Sequence, residues 1–300
     1  MALAQVDVVA RLLEADVEPV VTETAGDRRG DVQIWEMGGS GVFVKEVQAA
    51  VLEGRADFAV HSAKDLPSAP AEGLHIAAVP EREDARDALV GAALHDLAPG
   101  ARVGTGAVRR RAQLAWHRPD LTFGSLRGNV DTRLARASSY DAIVVAMAAL
   151  RRLGRESAAA EVLDVRWFVP QVGQGALAVE CRADDAAMTK RLATVDHRPS
   201  RLAVEAERAW LRGVGGGCDL PVGAHATVDG DGAITLTAML ARADGRILLR
   251  HRDSGQDPER LGQEVAWHLL DGAGGRMLLE PLAPALPDRP PVGATPGGGT

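Results

Sequence analysis

The chain has 300 residues, which fits two domains of ordinary size and would also fit three small ones. Its 34 basic and 41 acidic residues give a net charge of −7, which argues against a general polyanion binder but leaves room for a local basic cleft. No apolar run approaches the roughly 18 residues of a membrane span, which excludes an integral membrane protein. Residues 1–16 carry no basic region and no cleavage pattern, so we expect a cytoplasmic protein.

Cysteine and lysine are both scarce. Two cysteines, Cys181 and Cys218, are too few for a disulfide scaffold or a four-cysteine zinc site, and they leave room for one reactive thiol. Only three of the 34 basic residues are lysines, so scattered arginine is the background in this chain. An arginine therefore carries information only through its place in a motif.

The first part of the chain alternates between helical and strand patterns. Apolar residues recur at helical spacing in some stretches, and short apolar runs mark others. The predicted elements, in chain order, are a helix over 2–13, a strand over 17–24, a flexible loop over 37–41, a helix over 42–52, and strands over 56–61 and 74–79. This alternation predicts a parallel, doubly wound α/β sheet.

The same pattern repeats from about residue 87 and predicts a second α/β unit. Its predicted elements are strands over 101–104, 121–125 and 140–145, and helices over 108–117, from 130, and up to 153. A further strand over 176–181 could return to either sheet.

Beyond residue 199 the pattern changes to a small α+β domain. A helix over 202–212 precedes alternating strands around two turn signals, and a second helix follows. The strands are predicted over 223–228, 234–241 and 247–252, and the helix over 258–270. The last twenty residues are rich in proline and glycine and are predicted to be disordered.

The segment His61-Ser62-Ala63-Lys64-Asp65 stands at the carboxyl end of a predicted strand. Ligands of open α/β sheets bind at that edge. Lys64 and Asp65 suit a site that binds anions and needs one carboxylate to stabilise positive charge. From position alone, an incidental ion pair in a solvated loop is an equally good interpretation.

Two basic turns lead from predicted strands into helices, at GTGAVRRR (104–111) and SLRGNVDTR (125–133). Free backbone N–H groups at such turns attract anions, and arginine adds bidentate binding of carboxylates. Each turn alone is better interpreted as a solvated helix face. Together they indicate a cleft for several negative charges, and an aromatic fraction of 3% argues against a platform for single-stranded nucleic acid.

The run GGGCD (215–219) places Cys218 directly after three glycines. Such a thiol can be accessible on a mobile loop, and thiolate reactivity follows exposure and nearby positive charge. A free cysteine is more often a small buried residue, and Cys181, in an apolar strand, fits that description.

Taken in order, these stretches resemble the hydroxymethylbilane synthase (porphobilinogen deaminase) family over roughly residues 2–275. No single stretch is specific, but the combination is. The segments that carry the resemblance are GGSGVFVKE (38–46), RADFAVHSAKDLP (55–67), ERED (81–84), RDALV (86–90), GTGAVRRRAQLAWHRPDL (104–121), SLRGNVDTRL (125–134), YDAIVVAMAALRRLG (140–154), VGQGALAVECR (172–182), AERAWL (206–211) and GGGCDLPVG (215–223).

The resemblance implies two doubly wound α/β domains, similar to periplasmic binding proteins, and a C-terminal α+β domain. The implied boundaries are 1–80 with 176–194 for the first domain, 83–170 for the second, 198–282 for the third, and a disordered tail over 283–300. The family is usually monomeric.

The resemblance also implies a transferase that joins four porphobilinogen molecules head to tail into hydroxymethylbilane, with release of ammonia. A dipyrromethane cofactor is joined to the family's enzyme through a thioether, and the matching position here is Cys218. Asp65 matches the catalytic aspartate, and no metal or nucleotide is required. The positions that match contacts to cofactor and substrate are Ser62, Lys64, Thr105, Arg109, Arg110, Arg127, Arg133, Arg152 and Gln174.

The sequence departs from the family pattern in three places. The family opens with a strand and a T-R-x-S-x-L-A-L-x-Q motif, whereas this chain begins in the middle of that motif, so we expect the N-terminal strand of the first domain to be missing and activity to be impaired. Glu36 and Ser40 stand where the family's loop often has lysines. Gly106 and Ala107 replace two serines of the first basic turn.

Two other classes remain as alternatives. A non-catalytic bilobal protein could bind a small polyanion with the same architecture, but it has no need of a thiol after three glycines. A nucleic-acid-binding or regulatory protein could use the arginine turns, although the net charge and the few aromatic residues argue against it.

Overall fold

The structure is a computed structural model, and it describes residues 1–22, 44–216 and 220–279. Its helices are α1 (Ala2–Leu13), α2 (Lys45–Leu52), α3 (Val108–His117), α4 (Val130–Ala135), α5 (Met147–Arg152), α6 (Ala186–Leu192), α7 (Arg198–Gly213) and α8 (Pro258–Trp267). Its strands are β1 (Phe58–Ser62), β2 (Leu74–Ala78), β3 (Asp87–Val90), β4 (Arg102–Gly104), β5 (Thr122–Gly124), β6 (Ala142–Ala146), β7 (Ala159–Val162), β8 (Leu177–Arg182), β9 (Val222–Val228), β10 (Ile234–Ala241) and β11 (Leu248–Gly255).

Several predictions fall outside the described residues. They concern the end of the strand over 17–24, the loop over 37–41, Glu36 and Ser40, Cys218, and the tail over 283–300.

The first sheet has the order β1-β8-β2, and its central strand comes from a later part of the chain. β8 is antiparallel to both neighbours, with Val60 opposite Val179 and His75 opposite Cys181. The prediction that this sheet is parallel is therefore wrong, because the chain returns from the second unit and enters the sheet from the opposite end. Helix α1 covers one face, and Cys181 is buried there, as predicted.

The predicted strand over 17–24 is also wrong where the structure describes it. Residues 17–22 form no strand, and Val20 and Val21 are exposed. They line, with α1, α2 and β1, an apolar groove of about 640 Å³. An apolar stretch forms a strand only where a neighbouring strand pairs with it, and none of the described strands reaches this one.

The second sheet has the order β5-β4-β6-β3-β7. β4 runs parallel to β5 and β6, as predicted, whereas β3 is antiparallel to β6 and β7. The core of this unit is apolar and packs around Leu89, Leu114 and Phe168. Three short elements, β3, β7 and α6, have no counterpart among the predicted elements.

The third sheet is the antiparallel meander β11-β10-β9, as predicted. Helices α7 and α8 cover it, and Trp210, Leu236 and Val265 lie in its core. The two helices approach closely at Gly262, where a Cβ atom would lie 2.5 Å from the Cβ of Ala209. An α/β class with a C-terminal α+β unit is confirmed. No helix in the described part of the chain is long and apolar enough to cross a membrane.

One buried carboxylate on α7 joins the three sheets. Glu207 is fully buried and accepts two hydrogen bonds from the Arg82 guanidinium, at 2.5 and 3.2 Å. It also accepts the backbone N–H groups of Gly173 and Ala226, each at 2.7 Å. Arg82 and Gly173 belong to the two segments that connect the first and second sheets, and Ala226 lies in β9, so α7 fixes both connections.

We expect Glu207→Gln to lower the free energy of unfolding by about 3–5 kcal/mol, because it leaves Arg82 as a buried cation without a carboxylate. The matched control is Glu205→Gln on the same helix, whose side chain is 45% exposed, and it should cost about 0.5 kcal/mol or less. Urea denaturation of both variants provides the measurement. Equal losses would show that Glu207 does not hold the connections.

Candidate active site

The segment from His61 to Asp65 ends β1 and enters a short 3₁₀ turn over Ala63–Asp65. The N–H of Ala63 donates to the carbonyl of Ala176 at 3.0 Å, which fixes the turn to the start of β8. Gly173 lies against the other side of the turn, with a φ of +70°. A Cβ atom on Gly173 would lie 3.0 Å from the backbone nitrogen of Lys64. Only glycine adopts this conformation at such close range without strain, so the turn is held between two backbone segments.

Lys64 and Asp65 have opposite charges and shifted pKa values. Burial lowers the pKa of Lys64 to about 8, and the negative charge of Asp65 opposes that shift. Burial raises the pKa of Asp65, while Lys64, His61 and Arg133 act against the rise. Asp65 is still accessible to solvent from the cleft, which moderates the shift. The carboxylate is thus set among cations and can stabilise a further positive charge.

Asp87, at the start of β3, is the central anion of the second unit. Its Oδ2 accepts a hydrogen bond from Arg109 at 2.8 Å, and its Oδ1 accepts two from Arg110, at 3.0 and 2.7 Å. These cations lower the pKa of Asp87 to about 2 despite its burial, so it stays ionised. One carboxylate therefore holds two buried guanidinium groups side by side.

The structure gives Arg109 and Arg110 internal partners in addition to Asp87. Arg109 donates to the carbonyl of Val169 at 2.6 Å, and Arg110 donates to that of Val144 at 3.0 Å. Their side chains are 3% and 6% exposed. They contribute positive charge to the cleft, and most of their N–H groups are already used.

Gln174 and Thr105 also have internal partners. The Gln174 amide donates to the carbonyl of Ala85 at 2.7 Å and to Asp87 at 3.0 Å. The Thr105 hydroxyl accepts the N–H of Ala107 at 3.2 Å, just before α3. Both residues fix the backbone that surrounds the arginines.

Arg133 and Arg152 each donate to one backbone carbonyl. Arg133 donates from Nε to Gly128 at 2.8 Å, and Arg152 donates from Nη2 to Gly175 at 2.6 Å. Burial, together with the neighbouring charges of Arg110 and Arg127, lowers the pKa of Arg133 to about 10, and the charge of Asp65 opposes that shift. Burial also lowers the pKa of Arg152. Lys64 faces the charges of Arg110 and Arg133, so cations from both α/β units share one cleft.

The third unit approaches this cleft on both sides of Cys218, which itself lies outside the described residues. A Cβ atom on Gly216 would lie 3.1 Å from the Ser68 hydroxyl, three residues after Asp65. A Cβ atom on Gly223 would lie 3.0 Å from Cδ of Arg109. The chain therefore passes the Asp65 turn before residues 217–219 and passes Arg109 after them.

Comparison with known families identifies the chain. Residues 1–190 match the family model described as "Porphobilinogen deaminase, dipyromethane cofactor binding domain", and residues 201–271 match "Porphobilinogen deaminase, C-terminal domain". The chain belongs to the porphobilinogen deaminase family.

Curated relatives agree with this membership. A porphobilinogen deaminase of Brevibacillus brevis is 45% identical over 274 residues, covering 90% of this chain and 89% of the relative. One of Pelobacter propionicus is 47% identical over 264 residues, covering 86% and 84%. Among solved structures, an arginine-specific periplasmic binding protein of Salmonella typhimurium is 14% identical with a TM-score of 0.35, covering 64% of this chain and 79% of that one.

The charged residues of the cleft suit the dipyromethane cofactor that the family model names. Lys64 and Arg133 carry positive charge beside Asp65. Arg133 and Arg152 each donate to one backbone carbonyl, and the Nε of Arg109 is buried without a hydrogen-bond partner. Carboxylate side chains of a pyrrole ligand would match this surplus of donors. No group of three or more histidine, cysteine, aspartate or glutamate side chains could hold a metal ion within the described ranges.

Sequence reasoning missed Asp87 and Glu207, the two buried anions on which this family member's arginines depend. Both lie in stretches that carry the family resemblance, but no role was assigned to either. A carboxylate at the start of an apolar strand, in a chain so rich in arginine, is a signal that could have identified Asp87.

We expect Asp87→Asn to lower the free energy of unfolding at neutral pH by about 3–5 kcal/mol, because two buried guanidinium groups lose their carboxylate. The folded-state pKa of Asp87 is below its ordinary value of 3.8, so its stabilisation is present above that pH. The difference from wild type should therefore shrink as the pH falls from 3.8 towards 2. Urea denaturation as a function of pH measures it.

The control is Asp120→Asn, which removes the partner of Arg118 in an ion pair at the surface. This variant should leave the urea midpoint close to that of wild type, because an exposed ion pair contributes little to stability. A loss as large as that of Asp87→Asn would contradict the special role of the buried anion.

Proposed function

We propose that this protein is a transferase that condenses four porphobilinogen molecules head to tail into hydroxymethylbilane, releasing ammonia at each step, in haem-type tetrapyrrole biosynthesis. The observation that carries the proposal is the placement of Asp65. It is a carboxylate that interacts with the charges of Lys64, His61 and Arg133, in a chain that belongs to the porphobilinogen deaminase family. A bilobal binding protein would use the cations but would have no need of this carboxylate.

The cations suit the substrate. Each porphobilinogen carries an acetate and a propionate, so a growing oligopyrrole is a string of carboxylates. These carboxylates are bound by Lys64, Arg127, Arg133 and Arg152. The buried Arg109 and Arg110 add positive charge without direct contact. Ser62, Thr105 and Gln174 hold the backbone of the cleft or add lesser contacts.

A dipyrromethane cofactor supplies the primer to which pyrroles are added. We assign its thioether attachment to Cys218, because the chain enters and leaves residues 217–219 beside the Asp65 turn and Arg109. Lys64 and the arginines would bind its carboxylates, and Asp65 would face its N–H groups.

The chemistry assigned to Asp65 is electrostatic. Loss of ammonia from porphobilinogen leaves an electron-poor methylene carbon and spreads positive charge to the pyrrole nitrogen. A carboxylate at that N–H stabilises the charge and can accept the proton that must leave when the new bond forms. The raised pKa of Asp65 makes its carboxylate a better proton acceptor than an ordinary aspartate.

The remaining parts of the proposal concern the setting of the enzyme. We propose a cytoplasmic monomer that binds neither nucleic acid nor membranes, in keeping with its net charge of −7. We also propose the division into domains at 1–80 with 176–194, 83–170 and 198–282. The three sheets support it, because β8 returns to the first sheet.

The intact mass of the denatured, expressed chain tests the cofactor assignment. We expect a mass gain of two linked pyrrole units, which is absent from Cys218→Ala and retained in Cys181→Ala. The second variant is the matched control because Cys181 is buried in β8. An unmodified wild-type chain would contradict the enzyme function and favour a bilobal polyanion-binding protein.

We expect Asp65→Asn to lower turnover of porphobilinogen by about 10²–10⁴-fold without changing Tm. Because the pKa of Asp65 is raised, wild-type turnover should begin to fall on the acid side at a higher pH than an aspartate of ordinary pKa would give. Ammonia release as a function of pH gives both results. Asp57→Asn, at the opposite end of β1, is the control, and normal turnover by Asp65→Asn would refute the role of Asp65.

A further inference from the structure

Two successive residues of α7 reach the first unit in different directions. Glu207 accepts the N–H of Gly173, which packs against the backbone of Lys64. Arg208, the next residue, donates from one nitrogen, Nη2, to the carbonyls of Pro67 at 2.7 Å and Ser68 at 3.2 Å. Helix α7 therefore acts on the Asp65 turn indirectly through Gly173 before Asp65 and directly through Arg208 after it.

Arg208 is built into the structure as a buried cation. It is 7% exposed, and burial lowers its pKa, with the neighbouring charge of Arg212 acting in the same direction. The carboxylate of Glu180 acts against that shift. Burying a guanidinium costs free energy unless it donates hydrogen bonds. The carbonyls of Pro67 and Ser68 accept hydrogen bonds from Arg208 and offset part of that cost.

Glu180, whose negative charge acts on Arg208, also contacts the start of the same turn. Its Oε2 accepts a hydrogen bond from Gln48 at 2.9 Å and lies 3.0 Å from Nε2 of His61, four residues before Asp65. Burial raises the pKa of Glu180, but its hydrogen bonds with His61 and Gln48 outweigh that effect and leave the pKa below its ordinary value, so Glu180 is an anion. The turn over residues 61–68 is thus held at its start by the Glu180 cluster and at its end by Arg208.

We propose that Arg208 is a positioning residue that fixes the loop bearing Lys64 and Asp65 to the third unit. The inference rests on the proposed function, because it assigns to Arg208 the placement of the catalytic carboxylate. It acts through the carbonyls of Pro67 and Ser68 and touches no reacting atom. A displacement of about 1 Å at such a carboxylate can cost about 100-fold in rate.

The test compares Arg208→Gln with Arg208→Lys and with Arg212→Gln. Arg212 is the matched control, because it lies one turn further along α7 and makes one longer contact to Ser68, at 3.4 Å. The cofactor-loaded fraction of each variant is measured by intact mass, and kcat and KM are expressed per loaded enzyme. Loop order is measured separately, by amide hydrogen exchange over residues 61–70 in chains that also carry Cys218→Ala.

We expect Arg208→Gln to load cofactor but to lose about 10- to 100-fold in kcat, with KM within about twofold of wild type. Amide exchange should accelerate around residues 66–69 and stay unchanged in the third unit. Arg208→Lys, which keeps the charge and one donor, should recover part of both. Arg212→Gln should match wild type.

Three results would overturn the proposal. They are a loaded Arg208→Gln enzyme with wild-type kcat, an unchanged exchange rate at residues 66–69, and equal effects from Arg212→Gln. If Arg208→Gln does not fold, Arg208→Lys decides, and wild-type kcat together with wild-type exchange in that variant refutes it. A wild-type chain that neither loads pyrroles nor releases ammonia refutes the proposed function instead.

Discussion

The carboxylate of Glu207 is the constraint on which the relation of the three units depends. A buried anion must be surrounded by donors, and here the donors come from both connecting segments and from β9. The same contacts that neutralise Glu207 therefore fix the first sheet, the second sheet and the meander with respect to one another. Glu207 binds Gly173, and Gly173 packs directly on the backbone of Lys64, so Glu207 is connected to the candidate active site through one intervening residue.

A second consequence of burial concerns the arginines. A cleft for a polycarboxylate needs several cations, but adjacent guanidinium groups repel one another. Asp87 resolves this for Arg109 and Arg110 by accepting from both, while Arg133 and Arg152 each donate to a backbone carbonyl. The arginines are thus of two kinds, an inner pair neutralised by a carboxylate and an outer pair held by carbonyls.

The elements with a strong periodic pattern were predictable, and the pairing between strands was not. The helix over 108–117 and the meander of β9, β10 and β11 match their predictions closely, because local periodicity and turn residues specify them. Residues 17–22 have the apolar character of a strand, but no described strand pairs with them. The direction of β8 was equally hidden, since it depends on a return of the chain across two units.

For the site, local motifs were enough to predict which residues stand where strands end. These are Lys64 and Asp65 after β1, Arg109 and Arg110 at the start of α3, and Arg127 and Arg133 around the start of α4. Local motifs fix such positions because turn and helix signals act over a few residues. Which cations bind buried carboxylates and which bind only backbone carbonyls depends on contacts between distant parts of the chain. Partners such as Asp87 and Arg110, 23 residues apart, or Arg208 and Pro67, 141 residues apart, meet only when burial forces each charge to find a donor or acceptor.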